Sequence, residues 1–276
     1  MRVVDYDRLP FSLRFDYSLE GAMVVKNIDF GFVADIYDDY VNVDFDIPFY
    51  KSLCKKYRGN FLELMCGTGR VSLPLIAEGM NLTCVDYSQE MLDVFVKKPN
   101  GQKAALFCQD VCELDIGGKF EFIFIPFNSF AEITDSGKRK QAVKRVIEHL
   151  ADNGDFLITL YNPEYRIKSA DGNMKCLGKF DISNDRTLIV TSYNSFDSAS
   201  SRIYGTQFYE IYDSNNQLVD KRFLNIAFSL VSMDEIKGLC EEFGLSIKEI
   251  YGDYNSGEFN DKSQFMNFLL TRRIKK

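Results

Sequence analysis

The sequence predicts an α/β protein with a doubly wound, mostly parallel sheet and an inserted antiparallel β meander. Apolar runs of strand length alternate with stretches of helical periodicity over residues 46–162. Such alternation is typical of a parallel sheet with helices on both faces. The chain has 276 residues and is 46% hydrophobic, which suffices for one large domain with an insertion or for two small domains.

The parallel part begins with a predicted helix over residues 46–57, where Pro48 lies in the first turn and its missing amide donor does no harm. Strands are predicted near residues 60–65, 81–86, 104–109, 121–127 and 154–161. Helices are predicted near residues 69–79, 89–98 and 137–151. Ligands of such a sheet bind outside the carboxyl ends of the strands, so we expect the functional residues there.

The pattern changes after residue 161. Three strand-like runs, residues 187–193, 202–212 and 218–230, are separated by turns rich in Asn, Asp and Ser. They predict an antiparallel meander that serves as a lid over the substrate, as a dimer contact, or as both.

The chain closes with one more helix and two strands. Ser232 and Glu235 form a capping box for a helix that runs to residue 243, and Gly244 ends it. Residues 246–251 and 263–271 then follow as closing strands.

Composition excludes several classes of protein. The net charge of −7 and the pI of about 5.0 argue against a nucleic-acid partner and favour a small or cationic substrate. No apolar run approaches the roughly 18 residues of a membrane span, and residues 1–17 mix charged with apolar side chains, unlike a secretory signal. We therefore expect a cytoplasmic protein without a membrane partner.

The cysteines and the histidine predict no metal site. Seven cysteines occur without a CxxC pair, and Cys66, Cys84 and Cys108 lie in or beside predicted core strands. Buried thiols in a reducing compartment explain them better than disulfides or zinc ligands. His149 is the only histidine, near the end of a predicted helix, and we expect a solvated or helix-terminal role for it.

Residues 60–70, NFLELMCGTGR, combine a buried strand, the acid Glu63 and a turn with glycines before a helix. Glycines let the backbone pass close to a ligand, and the helix N-terminus attracts an electron-rich group. Asp86 ends the next apolar run and is placed to accept hydrogen bonds from ribose hydroxyls. Nicotinamide dehydrogenases share these features, but their third glycine is replaced here by Ser72, which weakens that reading without excluding it.

Residues 63–69, ELMCGTG, resemble the first motif of class I S-adenosylmethionine-dependent methyltransferases, commonly written [D/E]-x-G-x-G-x-G, with Met65 in place of the first glycine. Residues 85–92 resemble the segment with the ribose-binding acid, and residues 108–111 resemble the end of the third strand, where an acid contacts adenine. Residues 122–129 resemble the fourth-strand motif, which borders cofactor and substrate. The resemblance covers residues 35–162 and is to the small-molecule type.

The resemblance implies a Rossmann-like methyltransferase fold, whose mostly parallel sheet has seven strands and an antiparallel last strand, with S-adenosylmethionine as cofactor. The cofactor-binding residues that it implies are Tyr37, Glu63, Met65, Cys66, Gly67, Thr68, Gly69, Asp86, Tyr87, Met91, Asp110, Val111, Phe127 and Asn128. Some have structural alternatives: Asp86 or Ser88 could cap the next helix, Asp110 could be a solvated loop acid, and Tyr37 could pack the N-terminal segment on the core.

Three parts of the chain follow from the motifs and the pattern together. We predict residues 1–45 as an N-terminal helical cap, and residues 46–162 with 231–276 as the Rossmann-like S-adenosylmethionine-binding domain. Residues 163–230 form the inserted lid or dimer element. If residues 163–230 form a dimer contact, the protein is a homodimer.

Methyl transfer from a sulfonium is an in-line displacement, so the protein mainly aligns the acceptor and excludes water. A general base is needed only when the acceptor must lose a proton early. The catalytic residues therefore stay unassigned, with Asn128, Tyr161, Tyr193 and Tyr209 as candidates on the acceptor side. Tyr204 could line the same pocket, and Arg70 could anchor a carboxylate or pair on the helix surface.

The predicted function is methyl transfer to a nitrogen or oxygen atom of a small metabolite. Three alternatives stay open at this point. They are a catalytically silent protein that binds S-adenosylmethionine, a methyltransferase that acts on RNA or protein, and a nicotinamide-dependent oxidoreductase.

Overall fold

The computed structural model describes residues 28–273 as two β-sheets with helices around the larger one. The strands are β1 Phe61–Leu64, β2 Leu82–Asp86, β3 Ala105–Cys108, β4 Phe120–Ile125, β5 Leu150–Tyr161, β6 Asp171–Ile182, β7 Arg186–Asp197, β8 Arg202–Tyr212, β9 Leu218–Ser229, β10 Leu245–Tyr251 and β11 Phe265–Arg272. The helices are α1 Tyr37–Tyr40, α2 Ile47–Cys54, α3 Ser72–Ala77, α4 Gln89–Lys97, α5 Ser136–His149, α6 Pro163–Ser169 and α7 Met233–Phe243. Residues 1–27 of the predicted cap lie outside the described part.

The seven-stranded sheet has the order β10-β11-β5-β4-β1-β2-β3. Strand β1 pairs in parallel with both β2 and β4, so the connection crosses over between β3 and β4. Strand β11 runs antiparallel to β5. The predicted fold class is therefore confirmed, including the antiparallel last strand.

The central strands are apolar on both faces because helices cover both. Leu62, Ile123 and Phe124 are fully buried, and the buried side chains on the two faces form separate clusters. Helices α5 and α7 contribute to one cluster, and α2 and α3 contribute to the other. Continuous apolar strands of this kind are typical of a parallel sheet buried on both sides.

Two termini of helices confirm the capping predictions. The Ser232 hydroxyl accepts a hydrogen bond from the amide of Glu235 at 3.1 Å and starts α7. Gly244 adopts a left-handed conformation, with φ of 67°, and ends it. In α4 the cap is Ser88, whose hydroxyl accepts from the amide of Met91.

The inserted sheet has four strands, in the order β6-β7-β8-β9, and not the three predicted. Strand β6 was missed because it lies at an edge, has mostly exposed residues and contains Gly172 and Gly178, so its apolar alternation is weak. The short helix α6 was missed as well. A further correction concerns Cys108, which is exposed because β3 is the other edge strand of the large sheet.

Arginine side chains fasten the inserted sheet to the parallel domain. Arg139 of α5 donates to the Glu235 carboxylate at 2.6 Å and to the Ser229 hydroxyl at the end of β9 at 3.0 Å. Arg202 at the start of β8 donates to the Thr134 carbonyl at 2.9 Å. These bonds bring β8 over the segment that follows β4. Within the described residues, no helix is both long enough and apolar enough to span a membrane.

Candidate functional site

The turn after β1 contains a buried acid. Glu63 is 1% exposed and accepts a hydrogen bond from the Ser72 hydroxyl at 2.5 Å. Burial raises the pKa of Glu63 to about 8, and the Ser72 hydrogen bond opposes this rise. Ser72 occupies the position of the third glycine in the dinucleotide-binding motif. Its hydroxyl is the hydrogen-bond partner of the Glu63 carboxyl group.

The backbone of the turn is left-handed at three alternate residues. Gly67 and Gly69 have φ of 54° and 84°, and Met65 has φ of 59°. A side chain at position 69 would place its Cβ 2.9 Å from the Phe95 ring, so glycine is needed there for space as well. Met65 adopts a left-handed conformation that favours glycine. A methionine side chain therefore occupies a position for which glycine is the better-suited residue.

Asp86 is held at the end of β2 by two backbone amides. Its Oδ2 accepts from the Gly67 amide at 2.7 Å, and its Oδ1 accepts from the Ser88 amide at 2.9 Å. Asp86 is 7% exposed, and burial raises the pKa of its carboxyl group while the two amide bonds lower it. This acid therefore ties the first-motif turn to the start of α4, with its remaining lone pairs available to a ligand.

A cavity of about 530 Å³ opens where β2, β3 and β4 end, a volume within the range of small-molecule sites. Five residues from the predicted cofactor set line it: Met65, Asp86, Tyr87, Asp110 and Val111. Asp110 also accepts a hydrogen bond from the Cys112 amide at 2.9 Å and caps the short 3₁₀ helix Val111–Glu113. The capping role and the position at the cavity thus coexist in one residue.

A second, smaller cavity of about 40 Å³ lies against the first-motif turn. Seven residues from the predicted set line it: Tyr37, Glu63, Met65, Cys66, Gly67, Thr68 and Phe127. Arg70 lines it too. Met65 borders both cavities, so the two spaces adjoin at its side chain.

Helix α1 is fastened onto the first-motif turn through Asp38. The Thr68 hydroxyl donates to Asp38 Oδ1 at 2.6 Å, and the Lys98 ammonium lies 2.5 Å from Asp38 Oδ2. Lys98 also donates to the Thr68 carbonyl at 2.8 Å. These bonds hold Tyr37, the neighbour of Asp38, at the small cavity.

The end of β4 is a second left-handed turn. Phe127 and Asn128 have φ of 56° and 65°, and the Asn128 Oδ1 accepts from the Tyr161 amide at 3.1 Å. Asn128 thereby joins the carboxyl ends of β4 and β5. Clustered left-handed residues other than glycine are typical of functional sites, where the surrounding structure holds them.

Arg70 makes a buried ion pair and does not pair on the helix surface. Its guanidinium binds both oxygens of Asp46, at 2.6 and 2.7 Å, and lies 4.4 Å from the centre of the Phe127 ring. Asp46 is fully buried. One cation is thus fixed at the edge of the small cavity.

The remaining predicted residues line neither cavity. Gly69 and Met91 pack within the turn and α4, and Tyr161 ends β5 under the Arg166 guanidinium. Tyr209 is fully buried between the inserted sheet and α1, where its hydroxyl contacts that of Tyr40 at 3.0 Å. Tyr193 is half-buried in β7. Neither of these two tyrosines lines either cavity.

Several cavity residues were not predicted from the sequence, among them Glu132, Lys138 and Arg202. Glu132 ends the 3₁₀ helix Ser129–Glu132 directly after the fourth-strand motif, so an acid just beyond that motif was a usable signal. Arg202 comes from the inserted sheet, and no local pattern in the sequence indicates that it reaches this cavity. Burial raises the pKa of Glu132 to about 8, and the charge of Asp86 adds to the rise.

Groups of three or more potential metal ligands are absent from the described residues. His149 ends α5 as a buried side chain, and its ring contacts the Arg145 carbonyl at 2.7 Å and the backbone of Ile116. Its role is therefore structural, at the helix end.

A methyltransferase-domain family matches residues 61–154. A malonyl-[acyl-carrier protein] O-methyltransferase of Bacillus anthracis is 27% identical over 143 residues, 49% of this chain and 52% of that protein, so the chain spans about half the length of this relative. The structure of a S-adenosylmethionine-dependent methyltransferase from Clostridium acetobutylicum ATCC 824 has a TM-score of 0.73 at 23% identity, covering 89% of this chain and 99% of that one.

The sugar N-methyltransferase KedS8 from Streptoalloteichus sp ATCC 53650 has a similar structure. Its TM-score is 0.71 at 17% identity, and the match covers 87% of this chain and 92% of that one. At such identities the likeness shows a shared fold.

Proposed function

Because the chain belongs to the class I S-adenosylmethionine-dependent methyltransferases, we propose that it transfers a methyl group from S-adenosylmethionine to a nitrogen or oxygen atom of a small metabolite. The observation that carries the proposal is the position of Asp86. Its carboxylate is bonded to the first-motif turn through the Gly67 amide and faces the large cavity. A buried acid with free lone pairs there suits the two hydroxyls of a ribose.

We propose that the large cavity holds the adenosine half of the cofactor and that the methionine half extends from it towards the first-motif turn, where the small cavity lies. The large cavity, with Asp86, Asp110 and Tyr87, offers carboxylates and an aromatic ring for the adenosine half. Arg70 lies at the edge of the small cavity, and its charge is already paired with Asp46. Met65, at the junction, would then lie close to the sulfonium. When bound, the cofactor supplies an activated methyl group, and the chain supplies position and shelter from water.

The choice of a small acceptor is supported by charge and by the inserted sheet. The chain carries a net charge of −7, and β8 covers part of the large cavity through Arg202. Structural relatives include a sugar N-methyltransferase, and a sequence relative is an O-methyltransferase, so both acceptor atoms stay in the proposal. We also propose a cytoplasmic location, which the seven unpaired cysteines support. A homodimer stays a prediction.

Binding of S-adenosylhomocysteine, measured by isothermal titration calorimetry, tests the cofactor site. We expect Asp86→Ala to weaken binding about 100-fold or more, because two charge-assisted hydrogen bonds to the ribose disappear. Asp234→Ala is the matched control, since Asp234 is 94% exposed at the start of α7, and it should bind like the unchanged protein. Equal binding by Asp86→Ala and the control would refute the ribose role.

Methyl transfer itself is tested by release of S-adenosylhomocysteine over a panel of small amines and alcohols. Turnover of at least one acceptor is expected. Binding of the cofactor without turnover of any acceptor in a broad panel, RNA and protein included, would favour a protein that only binds the cofactor.

A further inference from the structure

Glu132 is an acid of the large cavity, whose boundary with the small cavity lies at Met65. It lines the large cavity together with Asp86 and Met65. It also acts electrostatically on Tyr37, whose pKa is raised by burial and then by the charge of Glu132, and Tyr37 lines the small cavity. The charge of this carboxylate therefore acts on residues of both cavities from the segment that follows β4.

Within residues 28–273 no ion pair joins this carboxylate to a cation, although Lys138 and Arg202 line the same cavity. The described structure gives Glu132 neither a hydrogen bond nor an ion pair, in contrast to Glu63, which accepts from Ser72, and to Asp86, which accepts from two amides. Arg202, a cation of the same cavity, donates to the Thr134 carbonyl instead. A carboxylate that faces a cavity without a partner has an unfavourable environment until a cationic ligand arrives.

We propose that Glu132 binds the ammonium group of the acceptor and takes its proton, so that the acceptor is a primary or secondary amine. This inference rests on the proposed function and narrows its acceptor from nitrogen or oxygen to an amine nitrogen. The raised pKa of Glu132, about 8, supports it, because a carboxyl group with that value can accept a proton from an ammonium near neutral pH.

The step balances in atoms and charge. The acceptor ammonium gives one proton to the Glu132 carboxylate, which leaves a lone pair on the neutral nitrogen. That lone pair forms the new bond to the methyl carbon, and the carbon–sulfur bond breaks with its electrons passing to sulfur. The products are a methylated ammonium and S-adenosylhomocysteine, and the proton on Glu132 passes to solvent.

Several other titratable or charged groups line the large cavity or interact with Glu132, and they contribute to any pH dependence of ligand binding there. They are Tyr37, Asp86, Tyr87, Asp110, Asp135, Lys138 and Arg202. The pKa of each of the two tyrosines is raised by burial, so they stay neutral over the range used below.

Sinefungin is a defined probe for this site, because it carries a protonated amine where S-adenosylhomocysteine carries only sulfur. We expect the unchanged protein to prefer sinefungin at pH 8.5, and Glu132→Gln to reduce that preference about tenfold or more. Glu132→Asp should keep part of it, since the charge remains. Glu241→Gln, an exposed acid of α7, is the control and should keep all of it.

A pH series gives a second, independent reading on the protein without any substitution. The ratio of the two affinities should rise from pH 6.5 to 9, because the Glu132 carboxylate ionises across that range and then pairs with the amine of sinefungin. A flat ratio, or an unchanged preference in Glu132→Gln, overturns the inference. If Glu132→Gln does not fold, the pH series decides alone.

The two proposals fail in different ways. Failure of the unchanged protein to bind S-adenosylhomocysteine refutes the proposed function. Normal binding of S-adenosylhomocysteine with no contribution of Glu132 to sinefungin binding refutes only the role of Glu132. Methylation of alcohols but of no amine in the acceptor panel refutes that role as well.

Discussion

The parallel sheet and the inserted sheet of this protein bury their residues very differently. In the parallel sheet, every residue of β1 is buried and so are five of the six residues of β4. In the inserted sheet, β6 is exposed along most of its length, and β9 carries Phe223, which is 62% exposed. The first region therefore fixes the proposed cofactor site through burial and backbone geometry. The second contributes through single side chains that reach across, such as Arg202.

The largest expected effect comes from truncating one phenylalanine in each region. Phe124 is fully buried in β4, and Phe124→Ala should lower the free energy of unfolding by about 3–5 kcal/mol. Phe223→Ala in β9 should change it by less than about 0.5 kcal/mol. Chemical denaturation followed by circular dichroism measures both. A loss at Phe223 comparable to that at Phe124 would mean that another surface covers β9 in solution, as a dimer contact would.

Two glutamates sharpen the comparison because their pKa values move in opposite directions. Burial raises the pKa of Glu63 in the parallel sheet to about 8. In the inserted sheet, the hydrogen bond from Lys221 and that from the Tyr212 hydroxyl hold the pKa of Glu210 below its ordinary value. The first acid is buried, and the second is a surface acid paired with Lys221.

The signs of their pH effects follow from linkage. The stability that Glu63 contributes is present below its unfolded pKa of about 4.5 and is lost as the pH rises through its folded pKa of about 8. Glu63→Gln should therefore gain stability relative to the unchanged protein between pH 5 and 8. The contribution of Glu210 is present above its unfolded pKa and is lost only as the pH falls below it, so the effect of Glu210→Gln should be constant over that range. Denaturation midpoints at pH 5, 6.5 and 8 measure both, and a constant effect of Glu63→Gln would contradict the buried, protonated acid.

The same contrast explains how much could be predicted from the sequence. Most strands of the large sheet follow from largely apolar runs, although β10, LSIKEIY, does not. Asp86 and Asp110 follow from their positions at strand ends. Strand β6 has no such run, because its edge position requires no apolar face, and it was missed. Cys108 was predicted as buried because its strand resembles the others, and only the sheet order shows that β3 is an edge.

Side chains that enter the site from a distance were the other limit. Glu132 follows the fourth-strand motif by three residues, so its position at the cavity could have been predicted from the sequence. Arg202 is separated from the cofactor motifs by the whole of β5 to β7, and only the register of the inserted sheet places it near Thr134. Local patterns carry no information on such a contact, because it depends on how two sheets pack.

The smallest expected effect concerns left-handed backbone in each region. In the inserted sheet, Asn216 is left-handed with φ of 58°, and asparagine tolerates this conformation in turns. Met65 has the same conformation at the proposed cofactor site, where the strain of a side chain with a Cβ costs about 1–2 kcal/mol. Backbone strain is therefore expected at Met65, where the ligand is expected. In the inserted sheet, asparagine at position 216 adopts the same conformation with little strain.

Substitution by glycine and by alanine separates strain from lost packing at position 65. Both Met65→Gly and Met65→Ala remove the side chain that borders the two cavities, but only glycine also relieves the left-handed strain. We therefore expect Met65→Gly to be more stable than Met65→Ala by about 1 kcal/mol. Asn216→Gly and Asn216→Ala should differ in stability by a similar amount. Neither substitution at position 216 should change cofactor binding. Thermal unfolding with and without S-adenosylhomocysteine measures stability and binding together. Equal stability of the two variants at position 65 would mean that the turn relaxes when the methionine is removed. The left-handed conformation of the turn would then depend on the methionine side chain and not on the sheet.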